Sequence, residues 1–441
     1  MKRFQKGIRL PGFKDATLLS PRIHTPLGPH AITVFLSQGL GDPLTPCVTE
    51  GEMVLAGSKI AEGSSWASVP IHSSVSGRVS EVTDCFIRIE SDTKDTLHPS
   101  IHPRAEIPTD PESLAEIIRE AGILDLESPA FPAHLRLLEA QTAGVETVLV
   151  NACESEPFVT ANHLLVLNHP GEILKGAELL RVASGAKRAV IVLTDDKREV
   201  AEILNSKNYN LKIKTVEVLI LESRFPQGFV RTLAQTWLGR KLFRNESPIE
   251  AGVLVQNAAT AFAVYEAVYL KKPFYERVVT VGGPCIFEPK NFWAKVGTPA
   301  HELIGSAKGF LREPERVIFG GPMTGVTIGD LEAPVTKSTS AILALPAELT
   351  ISGAEESCIR CGLCVEACPE DLRPEMILRA VRHNQMAVAR EYAIDSCTEC
   401  GICAYLCPSK IPLVDVIRKG KKTFLTEIPN TKSVHALSFQ A

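Results

Sequence analysis

The cysteines constrain this 441-residue chain most: eight of twelve fall between positions 358 and 407, in two consecutive runs of one spacing. "CIRCGLCVEACP" carries Cys358, Cys361, Cys364 and Cys368, and "CTECGICAYLCP" carries Cys397, Cys400, Cys403 and Cys407. The pattern C-x2-C-x2-C-x3-C-P suits a cubane iron–sulfur cluster, because each iron needs one soft thiolate and a tight loop supplies three of the four. The fourth cysteine of each run reaches across to the other cluster. This assigns Cys358, Cys361, Cys364 and Cys407 to one [4Fe–4S] cluster and Cys397, Cys400, Cys403 and Cys368 to a second, close to the first. Two structural zinc sites are the competing reading, but such sites often recruit His and neither run contains one. Between the runs, "RPEMILRAVRHNQMAVAR" predicts one helix opening at Pro374.

Cysteines grouped in this way indicate metal binding in a reducing compartment, whereas a disulfide framework suits a short secreted chain. Cys47, Cys85, Cys153 and Cys285 lack ligand spacing and read as core residues. With 45% hydrophobic residues the chain can bury several cores, and a formal net charge of −4 gives no whole-chain field directed at nucleic acid. No run of about eighteen uncharged apolar residues occurs, and "MKRFQKGIRLPGFKD" lacks the apolar stretch of an export signal. The expectation is a cytosolic protein docked on a membrane protein. No Ser/His/Asp or Cys/His set stands out, so no catalytic side chain is assigned; cofactors would carry the redox chemistry.

The fold class expected is multidomain α/β. Residues 30–90 hold short β-type runs such as "AITVFLS" and "VPIHSSVSGRVSEV", separated by turn signals, and form a small all-β module. Its order resembles the barrel-sandwich fold of biotinyl and lipoyl carriers, but the tip "EGSSWAS" lacks the carrier lysine. A docking or packing role is therefore expected. From about residue 110, helices ("PESLAEIIREAGIL", "AHLRLLEAQ", "GEILKGAELLRVA") alternate with strands ("VETVLVNA", "RAVIVLTDD"), which implies a mainly parallel, Rossmann-like sheet covered on both faces. Short strands return near 270. The expected boundaries are 1–105, 106–265, 266–340 and 341–425, followed by a tail at 426–441.

Ligands of parallel sheets bind beyond the carboxyl ends of the strands. "TVLVNACESEPFVTANHLLV" puts Asn151, Glu154 and Glu156 there, where paired carboxylates suit ribose or ribityl hydroxyls; a solvated loop with an Asn cap fits the residues equally well. The histidines, His72, His134 and His163 among them, are dispersed and read as satisfied or exposed. The basic stretch "IRKGKK", with Arg418, Lys419, Lys421 and Lys422, reads as a solvated helix terminus.

The succession of the β module, "AFPAHLRLL", "VNACESEPFVTANHLL", "RFPQGFVRTL", "VQNAATAFAVYEAV", "RVVTVGG", "VGTPAHELI", "FGGPMTGV" and the double cysteine run resembles the RnfC subunits of Rnf electron-transport complexes, collinearly over nearly the whole chain. Its middle part is similar to the flavin-binding subunit of respiratory complex I. The resemblance implies a barrel-sandwich module, an FMN- and NADH-type α/β domain, a β-grasp module from "RVVTVGGPC" to "LIGSA", and an α-helical double [4Fe–4S] ferredoxin domain. It also implies a peripheral subunit on the cytoplasmic face of the inner membrane. Its partners there would be the integral-membrane and ferredoxin-type subunits of an ion-translocating complex linking NADH and ferredoxin. Asn151, Glu154 and Glu156 match the positions that contact FMN.

One stretch departs from the family. Where a glycine-rich loop would lie against a cofactor phosphate, this chain runs Gly122-Ile-Leu-Asp125-Leu-Glu127-Ser128-Pro129-Ala130-Phe131-Pro132. Side chains occupy space that glycine leaves free, Pro129 has no N–H to donate, and Asp125 and Glu127 repel a phosphate. Arg136 keeps one positive charge nearby. Three readings stay open: nucleotide binding through an altered loop, a cluster-only relay taking electrons from a protein such as ferredoxin or flavodoxin, and a soluble reductase serving a cofactor such as cobalamin.

Overall fold

The computed structural model describes residues 6–38, 43–127, 131–244, 246–350 and 353–427, with side chains to residue 423. Ser128, Pro129 and Ala130 of the glycine-poor loop, and the tail from residue 428, lie outside the described residues.

The first unit has two small antiparallel sheets. One orders Ala31–Phe35, Phe86–Ser91, Gly77–Val82 and Met53–Val54; the other orders Thr45–Pro46, Lys59–Glu62 and Ile71–His72. Alternation along Ala31–Phe35 and Phe86–Ser91 turns Ile32, Val34, Ile87 and Ile89 inward onto Ile60 and Val79. Cys285 and Cys153 are buried as expected, but Cys47 and Cys85 are exposed. They sit at strand edges and turns of this small module, where both faces cannot be covered.

The second unit is a four-stranded parallel sheet in the order Val216–Leu221, Arg188–Thr194, Thr147–Asn151, Val253–Asn257. Both faces are covered. Val148 and Val150 pack on one side with Leu174, Leu180 and Val264, while Leu149 packs on the other with Leu233 and Ala234. This double burial explains the unbroken apolar strands, each fully buried Val or Leu contributing about 1.5–3 kcal/mol. Strand order reverses between Thr147–Asn151 and Val253–Asn257, which opens a crevice at their carboxyl ends. In register, Asn151 lies beside Asn257.

A five-stranded mixed sheet follows, ordered Lys290–Lys295, Glu276–Gly282, Ala341–Leu345, Arg316–Phe319, Val326–Ile328, with the helix Ala300–Ser306. Its central strand, Ala341–Leu345, lies beyond the boundary expected at 340. Likewise the helix Ala258–Leu270 runs through the boundary expected at 265.

The cysteine region is helical, but the linker is two helices, Pro374–Arg382 and Met386–Glu391, in place of one. Asn384, with φ of 54°, sits in the turn between them. Its side chain tolerates the left-handed region better than most, so the chain can reverse there. Among the described residues no helix is long and apolar enough to cross a membrane.

Candidate functional site: a crevice facing a thiol cage

Four thiols from both runs come together. Cys368, Cys397, Cys400 and Cys403 line one small cavity, walled by Leu372, Ile377 and Ile417. Burial, together with the neighbouring Cys397 and Cys368, pushes the Cys400 thiol up to about 12. No three metal-binding side chains among the described residues converge on a single point; these four instead surround a space. Such a soft, all-sulfur donor set fits a [4Fe–4S] cluster, and it draws on both runs. The other set is more open. Cys358 and Cys361 are exposed, while Cys364 and Cys407 are half-buried against Leu413 and Val414.

The caged loop is held firmly. Gly401, with φ of +82°, brings the chain so close to Met323 that a Cβ there would stand 2.6 Å from the Met323 carbonyl oxygen. Arg418 and Lys421 are not free in solvent: both pair with Glu399, at 2.8 and 2.9 Å, and Lys421 Nζ also donates to the Cys397 carbonyl at 3.0 Å. Behind the cage, Glu370 accepts from Arg231 Nε at 2.8 Å and from Gln235 Nε2 at 3.0 Å, which ties the cysteine region to the helix Val230–Leu238 of the parallel-sheet unit.

Between the cage and the strand crevice lies a cavity of about 750 Å³. Glu127, Asn151 and Asn257 line one end, Cys397, Thr398 and Glu399 the other, and Arg277 and Ser340 the side. That volume lies within the range of small-molecule sites, roughly 300–1,000 Å³.

Asn151, Glu154 and Glu156 all reach this cavity, yet their polar atoms already have internal partners. Asn151 Nδ2 donates to Glu127 Oε1 at 2.9 Å and to the Gly228 carbonyl at 2.6 Å, while its Oδ1 accepts from the Cys153 N–H. Glu154 accepts the Asn162 and His163 N–H groups at 2.7 and 3.0 Å, capping the helix Ala161–Asn168. Glu156 accepts from the Met323 N–H at 3.1 Å and from Thr324 Oγ1 at 2.6 Å, and burial raises its pKa. All three thus line the cavity with internal hydrogen-bond partners in place.

Three further residues matter here, and their arrangement was not legible in the sequence. Glu127 carries its side chain into the crevice, where burial, reinforced by Asp125, pushes its carboxyl pKa up to about 8. Arg136 is buried, at 3.4 Å from Asp125 and 3.0 Å from Glu139, with its guanidinium over the Phe131 ring. It is therefore turned inward onto these partners. Arg277 is buried in the cavity wall, donating to the Lys337 carbonyl at 2.6 Å, and burial lowers its pKa to about 10. Of the histidines, His72 is buried in a strand, and His134 bonds the Trp66 carbonyl at 2.9 Å.

Fold and thiol cage together define a double-cluster iron–sulfur protein built around a flavin-type α/β unit. Three family models match in order: the RnfC barrel sandwich hybrid domain over residues 2–97, the Nuo51 FMN-binding domain over 118–266, and the 4Fe-4S dicluster domain over 354–411. The chain is 33% identical to the C subunit of the Na(+)-translocating ferredoxin:NAD(+) oxidoreductase complex of Acetobacterium woodii, over 86% of this chain and 88% of that protein. It is 32% identical to the proton-translocating counterpart of Clostridium ljungdahlii, over 86% and 84%. With the longer C subunit of the ion-translocating oxidoreductase complex of Pasteurella multocida it shares 31% identity, over 95% of this chain and 51% of that protein. The chain belongs to the RnfC family.

Proposed function

We propose that this chain is the peripheral electron-transfer subunit of a membrane-bound, ion-translocating Rnf oxidoreductase complex, and that it conducts electrons one at a time through two [4Fe–4S] clusters. The observation that carries this reading is the cage of Cys368, Cys397, Cys400 and Cys403 at the end of the large cavity. These four would hold the inner cluster; Cys358, Cys361, Cys364 and Cys407 would hold the outer one, whose exposed thiols suit exchange with another redox protein. The proposed organisation is a barrel-sandwich module to about residue 105, a Rossmann-like flavin-type domain to about 270, a β-grasp module closed by the strand ending at Leu345, and a double-cluster ferredoxin domain to about 425. Integral-membrane and ferredoxin-type subunits would be its partners, on the cytoplasmic face of the inner membrane.

Two electron sources fit the family: NADH through FMN, or a protein donor such as ferredoxin or flavodoxin. The internal commitment of Asn151, Glu154 and Glu156 favours the protein donor. A soluble reductase of cobalamin type shares the core but has no comparable support from the relatives. Anaerobic reconstitution of the full chain tests the main reading, with about eight irons expected per chain and a paramagnetic signal on dithionite reduction. Stoichiometric zinc, or no signal, removes it.

A further inference from the structure

The crevice between Asn151 and Asn257 lies where strand order reverses in a parallel sheet, the place where such folds present donors to a nucleotide. Here each asparagine already gives one donor to the chain itself. Glu127 Oε1 accepts from Asn151 Nδ2 at 2.9 Å and from Asn257 Nδ2 at 2.7 Å. The segment leading into that carboxyl is pinned: the Leu126 N–H donates to Thr260 Oγ1 at 3.2 Å, in the first turn of the helix Ala258–Leu270, and the Glu127 N–H donates to Asp125 Oδ1 at 3.0 Å. Asp125 in turn holds Arg136. A helix N-terminus beside two amide donors is a setting that favours an anion or a polar oxygen, and the chain supplies one itself.

We infer that Glu127 is a built-in occupant of the nucleotide crevice, a side chain that takes the place of a ligand's oxygen atoms and so excludes FMN and NADH from this subunit. The inference rests on the family reading only for the location of the flavin site; the clusters stand independently of it. Three features act together. The carboxyl occupies the end of the cavity between the two asparagines and takes one N–H from each. The pairing of Arg136 with Asp125 and Glu139 removes the cation that would meet a phosphate. Displacing Glu127 would break its hydrogen bonds to Asn151 and Asn257, which a ligand would have to replace. Without a flavin, the two clusters, each a one-electron centre, would not accept a hydride, so electrons would arrive singly from a protein donor.

The test is FMN titration of the full chain with clusters reconstituted anaerobically, read by quenching of flavin fluorescence and by calorimetry. Wild type and Glu127→Gln, which keeps the side-chain volume, are expected to show no saturable binding up to roughly 100 µM. Glu127→Gly and Glu127→Ala are expected to bind at least about 100-fold more tightly. Iron content and the reduced-cluster signal, unchanged in all four, show that the variants are folded and that the electron-transfer reading holds. One FMN retained per wild-type chain overturns the inference whatever the variants do. Failure of folded Glu127→Gly and Glu127→Ala to gain binding overturns it as well.

Discussion

Glu127 Oε1 and Asn257 Nδ2 meet at 2.7 Å although 130 residues separate them along the chain. The contact joins the segment before the helix Ala133–Thr142 to the end of a strand three crossovers later. It thereby fixes the mouth of the crevice around a carboxyl whose protonation state is set mainly by burial, against which this hydrogen bond works.

That state predicts a pH dependence. Burial raises the Glu127 pKa from 4.5 to about 8, so between these values the folded chain binds a proton that the unfolded chain has released. Stability then falls as pH rises through this window. Glu127→Gln, neutral throughout, is expected to flatten the fall, with its advantage over wild type largest above about pH 8 and absent below about pH 4. Denaturant midpoints from pH 4 to 9 measure it.

Lys337 should produce the opposite slope. Its ammonium is buried, donating to the Gly122 carbonyl at 2.7 Å and the Pro70 carbonyl at 3.2 Å, and burial lowers its pKa from 10.5 to about 7. Between these values the unfolded chain holds the extra proton, so stability rises with pH from about 7 towards 10. Lys337→Met is expected to remove that rise, in the same titration carried to higher pH.

Crossed ligation predicts which substitution affects which cluster. Cys368→Ser lies in the first run but should alter the inner cluster, the one caged by the second run, while Cys358→Ser should alter only the outer one. Electron paramagnetic resonance of the two variants distinguishes the cases; swapped effects would refute the cage assignment.

Arg231→Met leaves the Glu370 carboxylate, which is buried behind the cage, without its ionic partner. Breaking such a pair from one side costs about 3–5 kcal/mol. The expected outcome is earlier proteolytic release of the cysteine region, with the parallel-sheet unit intact.

The sequence made the metal chemistry legible because a cubane's ligands are local: three thiols at fixed spacing declare themselves in a dozen residues. Buried parallel strands such as Thr147–Asn151 were equally plain, being apolar without interruption. What was hidden depended on distance. Glu127 read as an acidic loop residue that would repel a phosphate, and only the approach of Asn151 and Asn257 makes it a ligand. Arg418 and Lys421 read as a solvated end because Glu399 lies some twenty positions earlier. The strand Ala341–Leu345 fell outside its sheet in sequence because its partners, Glu276–Gly282 and Arg316–Phe319, precede it by a long connection.

Glu156 grips the backbone of Met323, and Met323 bears on Gly401 within the cysteine loop. These contacts make a short strut from the carboxyl end of the parallel sheet to the cage of thiols. A partner protein that pushed on the 320–325 turn would therefore shift the sulfur cage and the mouth of the crevice at once, and mechanical strain from docking would reach the electron carrier without crossing the hydrophobic interior.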